Sequence, residues 1–161
     1  MNFARTRLAL AAAGSIFAFA AVAAELPAQG EALLTVDYSL IATKSMKMGD
    51  RTITQAEITG IIRNQSGSGP FHDASVRCLS TNDAVGDQRV GTGFCVSVDL
   101  DGDQFFHTIE GRGPTGKHIY IGGTGKYAGI KGESEYKAHP IKSPEGVVVI
   151  AFDHKITWKK Q

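Results

Sequence analysis

The sequence predicts an all-β protein: one antiparallel closed barrel of about eight strands, following a cleaved N-terminal signal peptide. Three observations predict it. Beyond residue 24, apolar side chains recur at every second position, and no window carries the 3.6-residue period of a helix. Turn-forming segments rich in Gly, Asp, Asn and Ser separate these runs. The last run, 147–158, is long, and in so small a chain a long final strand favours closure, which removes the exposed edges of a sheet.

The chain has 161 residues, which gives one domain as the expectation. Residues 1–24 read as the signal: Arg5 and Arg7 supply the positive start, Leu8 to Val22 the apolar stretch, and Ala21 to Ala24 the small residues of a cleavage site. The stretch is shorter than the roughly 20 residues that cross a bilayer. No other segment could span a membrane as a helix, and the arginines are not adjacent as a twin-Arg address requires. Residues 25–161 are then a single barrel domain, periplasmic or secreted. Without Arg5 and Arg7 the balance is 15 basic against 16 acidic residues, a net charge of −1. Such a balance excludes nucleic-acid binding by bulk charge and a polybasic membrane surface.

Along the domain, Leu34, Val36, Tyr38 and Leu40 alternate in the first strand. Gly49-Asp50 is a turn, and 52–62 a second strand rich in Thr and Ile. Asn64 to Pro70 is a Ser/Gly loop, and His72, Ala74 and Val76 begin a third strand. Residues 82–88 are turn-like. Phe94, Val96, Val98 and Leu100 form the cleanest alternation, followed by Asp101-Gly102, the dipeptide of a type I′ hairpin. Phe105, His107 and Ile109 return. Residues 111–132 hold eight glycines around a short strand, 118–121. A strand at 133–137 precedes the last one, whose even positions Val148, Ile150, Phe152, Ile156 and Trp158 mark an apolar face.

Motifs for nucleotide or metal chemistry fail on context. Gly111 to Gly116 spells G-x-G-x-x-G, but Pro114 interrupts it and a strand follows, whereas phosphate needs a helix N-terminus. Asp99, Asp101 and Asp103 imitate a calcium loop, yet Gln104 stands where the sharp-turn Gly belongs. No metal ligands, cofactor or catalytic residues are assigned. Export puts Cys78 and Cys95 in an oxidising compartment, where they are expected to pair. Their strand faces disagree, since Cys78 alternates with Ala74 and Val76 but Cys95 with Ser97 and Asp99, so a bulge or loop position is expected. Tyr38, His107 and His154 are candidates to line a cavity if their faces point inward.

The stretch His118-Ile-Tyr-Ile-Gly-Gly-Thr-Gly-Lys-Tyr-Ala-Gly-Ile-Lys-Gly-Glu-Ser-Glu-Tyr136 is the most informative. It resembles the G-G-T/S-G-x-F/Y signature of the allene oxide cyclase and dirigent barrel superfamily, including small secreted bacterial members. Gly93-Phe94-Cys95, Asp101-Gly102-Asp103 and Cys78 extend the likeness upstream. The resemblance implies an eight-stranded antiparallel barrel, often oligomeric, often with an apolar cavity. The signature Gly122, Gly123, Gly125, Tyr127, Gly129 and Gly132 is expected to be structural, to bind no phosphate, and to place Tyr127 over the glycine backbone or against a barrel end. The function expected is a non-catalytic exported barrel that binds a small apolar or amphipathic molecule or serves the envelope. The alternatives are a cofactor-free cyclase or isomerase and a structural protein without a ligand.

Overall fold

The computed structural model describes residues 25–145 and 147–161. The expected signal peptide, residues 1–24, lies outside the described residues. Eight strands follow one another: β1 Gln29–Met48, β2 Arg51–Asn64, β3 Ala74–Val85, β4 Gln88–Val98, β5 Gln104–Arg112, β6 Thr115–Gly123, β7 Ile130–Ile141 and β8 Val148–Lys160. A single 3-10 turn, Gly125–Tyr127, stands between β6 and β7. Each strand pairs antiparallel with the next, and β1 closes the barrel on β8.

Three of the hairpins are two-residue turns opened by glycine. Gly49-Asp50, Gly86-Asp87 and Gly113-Pro114 each carry the glycine at positive φ, which matches the right-handed twist of the flanking strands. The Gly111–Gly116 motif is therefore a hairpin. The expected type I′ turn at Asp101-Gly102 is different. Gly102 donates to the Asp99 carbonyl and only Gly102 has positive φ, so the loop is a longer turn closed by a left-handed glycine. Asp99 drives this choice: its Oδ1 accepts the amides of Asp101 and Asp103, stabilising the wider loop from inside.

The core lies inside the barrel. Leu34, Val36, Ile62, Ala74, Val76, Phe105, Ile130 and Ile156 are buried there, as alternation requires of one face of each strand. β4 inverts the expectation. Its apolar residues Phe94, 70% exposed, and Val96 face out, as does Leu100 in the turn that follows, while Cys95 and Ser97 face in. Cys78 and Cys95 sit opposite each other in unshifted register and are joined as a disulfide. No bulge is needed, because the inner face of β4 is the small, polar one. The outer apolar residues form a strip, with Leu79 opposite Phe94 and Val96 opposite Phe106.

The two ends differ. At one end the loop 65–73 folds across the opening. At the other, β1 pairs with β8 only as far as Leu40 and continues alone with β2 to Met48, so the β1–β2 hairpin projects past the seam. A register shift at Ala42/Lys44 and the charges of Lys44 and Lys47 mark this free edge, features that discourage strand-to-strand aggregation.

Candidate functional site

Four glycines shape the interior by what their missing side chains allow. A Cβ on Gly30 would fall 2.4 Å from the Trp158 ring, and one on Gly60 would fall 2.8 Å from the Tyr38 ring. On Gly111 or Gly116 it would fall 2.5 Å from the Tyr136 hydroxyl. The inward aromatics thus lie across backbone that carries no side chain, which is how rings this large fit inside eight strands.

These rings build three layers. The closed end is an aromatic plug. Phe71 and Tyr127 have no accessible surface. The Phe71 ring packs on Phe105, Tyr127 and Trp158 with centroids 5.1, 5.3 and 5.4 Å away. Phe71 has φ 63, a conformation costly for an aromatic residue, and its N–H donates to the Tyr127 hydroxyl at 3.2 Å. Tyr127 is delivered by the glycine signature. Lys126 N–H donates to Asp103 Oδ2, the Lys126 ammonium pairs with Asp99 at 2.7 Å and also with Asp101, and Thr124 Oγ1 accepts from Gln104 N–H. Burial opposes charge on Asp99, but Lys126 and the turn amide of Asp101 outweigh it and hold the carboxyl below its usual range. Two carboxylates of this turn, Asp99 and Asp101, thus pair with the Lys126 ammonium, while the third, Asp103, receives its backbone amide.

The middle layer is polar. His107 on β5, His118 on β6 and His154 on β8 are 1%, 3% and 4% exposed. His107 stacks on His118 at 4.6 Å, and His118 meets His154 at 4.8 Å. Ser134 Oγ lies 3.0 Å from His154 Nδ1. Both nitrogens of His107, Nε2 of His154 and Oγ of Ser97 have no hydrogen-bond partner among the described residues. Burial pushes His107 down to about 3, with His154 adding to the effect, and pushes His154 to about 4. His118 is held well below its ordinary value by burial, then by His107 and His154. All three are neutral imidazoles at neutral pH. A register shift at Phe106/His107 sets Ile121 outside the ladder and keeps His107 and Tyr120 paired on the inner face.

The third layer is the mouth. Tyr38 meets Phe152 at 5.0 Å, Phe152 meets Tyr136 at 5.0 Å, and Phe152 stacks at 6.0 Å on His154. Phe152, Tyr136, Ile58 and Ile109 are only partly buried. Burial raises the Tyr38 hydroxyl far above its usual range, with Tyr120 and Tyr136 contributing. On the opposite wall, inward positions are small: Ser80 on β3, Gly91 and Gly93 on β4, Gly111 on β5 and Gly116 on β6.

Among the residues singled out from sequence, Tyr38, His107 and His154 are all on the inner face, but they do not touch. Phe152 joins Tyr38 to His154, and His118 joins His154 to His107. Sequence reasoning missed Phe71, His118 and Ser134. His118 and Ser134 carry a period-2 signal with Tyr120 and Tyr136, the one pattern in the sequence that marks them. Phe71 follows Gly69-Pro70 in a loop and has no periodic signal at all.

Over 86% of this chain and 90% of its own, the pterocarpan synthase dirigent protein GePTS1 matches with a TM-score of 0.51 at 12% sequence identity. The fold is dirigent-like. A second structure, the pterocarpan synthase dirigent protein PsPTS1, matches 82% of this chain and 97% of its own, with a TM-score of 0.47 and 14% identity. No family model and no curated protein matches the sequence. The dirigent-like barrel is thus recognised through its backbone.

Proposed function

We propose that this dirigent-like barrel binds a small apolar or amphipathic molecule at its open mouth, against Tyr38, Tyr136 and Phe152. The observation that carries the reading is the asymmetry of the mouth: the partly buried rings of Tyr136 on β7 and Phe152 on β8, beside the buried Tyr38 on β1, stand opposite the small inward residues Ser80 on β3 and Gly91 and Gly93 on β4. Apolar lining with few polar groups is the usual composition of a small-molecule site. Binding rather than turnover fits the layer beneath. An acid–base catalyst works best near the operating pH, and these imidazoles are held neutral well below it. Export is part of the proposal; the Cys78–Cys95 disulfide supports it, and among the described residues no helix is long and apolar enough to cross a membrane. Self-association through the outer strip of Leu79, Phe94 and Val96 is a further part, tested by sedimentation of the wild type against Phe94→Ser.

Titration with the amphipathic dye anilinonaphthalene sulfonate tests the site. Saturable binding is expected, weakened by Phe152→Ala and unchanged by Phe94→Ser. Binding lost with Phe94→Ser and kept with Phe152→Ala would place the apolar site outside the barrel and sink the reading.

A further inference from the structure

Cys78, Cys95 and His107 occupy one row across three neighbouring strands. Cys78 is opposite Cys95 and Cys95 is opposite His107, and all three side chains point inward. The two sulfurs and a His107 ring nitrogen lie within 4.8 Å of one another. His107 is 1% exposed and neither of its nitrogens finds a hydrogen bond among the described residues. A buried imidazole without a partner is costly, and native proteins usually give such a group a reason. Here the nearest candidate ligand set is two sulfurs masked by their bond to each other.

We infer that opening the Cys78–Cys95 disulfide converts this row into a metal site, in which the two thiolates and the His107 imidazole hold one thiophilic cation of the zinc(II) or copper(I) class. Thiolate and imidazole donors select these ions over magnesium or calcium. The geometry is near what they need. With metal–sulfur bonds near 2.3 Å and metal–nitrogen bonds near 2.0 Å, ligand atoms are separated by about 3.6–4.0 Å in tetrahedral or trigonal coordination. Once the disulfide opens, the two sulfurs part from bonding distance, and the imidazole nitrogen, within 4.8 Å of them, draws in slightly to complete the set. The ladder of β3 and β4 has no register shift, so both sulfurs stay on the inner face after the disulfide opens. One inward position beyond each cysteine, Ser80 and Gly93 border a cleft of about 270 Å³ that Ala56, Leu79 and Phe94 also line.

The chemistry balances. A dithiol reductant passes two electrons and two protons to the disulfide, leaving two thiols, and is itself oxidised to a cyclic disulfide. Metal binding then displaces the two thiol protons, while His107 enters as a neutral donor. The site is therefore closed when the protein is oxidised and open when it is reduced. His118, stacked on His107, holds the imidazole plane in place.

Cobalt(II) is the probe, because thiolate ligation gives it an intense charge-transfer band. The protein is reduced with a dithiol, desalted under argon and titrated. The expected result is one equivalent bound with the band, none in oxidised protein, and none in Cys78→Ser/Cys95→Ser. His107→Phe keeps the ring stack and removes the ligand, so it should weaken binding at least about tenfold. Displacement by zinc(II) or by copper(I) then ranks the two ions. Near-ultraviolet circular dichroism of the Phe71 plug reports whether the reduced barrel stays folded. No band in folded reduced protein overturns the inference. So does a band of equal affinity in His107→Phe or in the urea-unfolded reduced chain, and so does an unfolding on reduction that metal does not reverse.

Discussion

At the closed end of the barrel, Phe71 and Tyr127 are fully buried, held by a strained backbone, a clamp of Asp99, Asp103 and Lys126, and four ring contacts. At the mouth, Tyr136 and Phe152 are partly buried and the β1–β2 hairpin runs on past them without a neighbour on β8. Both ends are aromatic. The difference lies in what surrounds the rings. A ring packed on every side stabilises the fold, and a ring with one open side leaves apolar surface for something else to cover. Between them, three uncharged imidazoles separate a region built for stability from one suited to binding.

The largest expected effect is on the layer between the two ends. The folded values of His107 and His154 lie near 3 and 4, below the unfolded value of 6.5. Between these limits the unfolded chain binds more protons, so stability falls as pH drops below about 6.5. By pH 4 the loss is roughly 3 kcal/mol for each of the two groups, enough to approach a typical total stability. Urea midpoints from pH 7 to pH 4 check this; a flat profile would mean that the imidazoles are hydrated and that the two ends are not separated by a dry layer.

The ends themselves are compared by truncation. Phe71→Ala should cost about 3–5 kcal/mol, as a fully packed ring does. Phe152→Ala should cost about 1–2 kcal/mol, because part of its surface already meets water. Equal losses in denaturant titration would break the distinction between plug and mouth. Opening the disulfide should remove about 3 kcal/mol and several degrees of thermal stability. It should leave the plug rings ordered.

Smaller changes sharpen the picture of the plug. Gly125 has φ +50, and a Cβ there would land 1.7 Å from the Asp103 carboxylate that receives the Lys126 amide. Gly125→Val should cost roughly 1–3 kcal/mol, read from the thermal midpoint. Adding ATP or NAD should leave that midpoint unmoved, because the ammonium of Lys126 is engaged by Asp99 and Asp101. On the outer wall, Phe94→Ser should change stability by no more than about 0.5 kcal/mol, since the ring is mostly in water.

Much of this barrel was legible before its structure. Alternation located all eight strands, and Pro114 together with the strand after it exposed Gly111–Gly116 as a turn. The Gly122–Gly132 signature announced the barrel type, and compartment chemistry paired Cys78 with Cys95. Apart from the Asp101-Gly102 turn, which the Asp99 side chain widens, the errors share a cause. Phe94, Val96 and Leu100 alternate as cleanly as any core strand, yet they face outward. Period 2 states that two faces differ and not which one is inside. The same ambiguity made the cysteines look mismatched, and it left Tyr38, His107 and His154 as conditional candidates.

The sequence by itself determined the local terms: strand periods, glycine-led turns and the cysteine pair, each set by neighbours a few residues apart. Tertiary structure alone decided which face of β4 is inner, that Phe71 leaves its loop to plug an end, and that three histidines from β5, β6 and β8 form one layer. These depend on closure of β1 onto β8, which chooses the inner face of every strand at once. It brings residues such as Phe71 and Tyr127 into contact across 56 positions of chain, a distance at which no local pattern carries information.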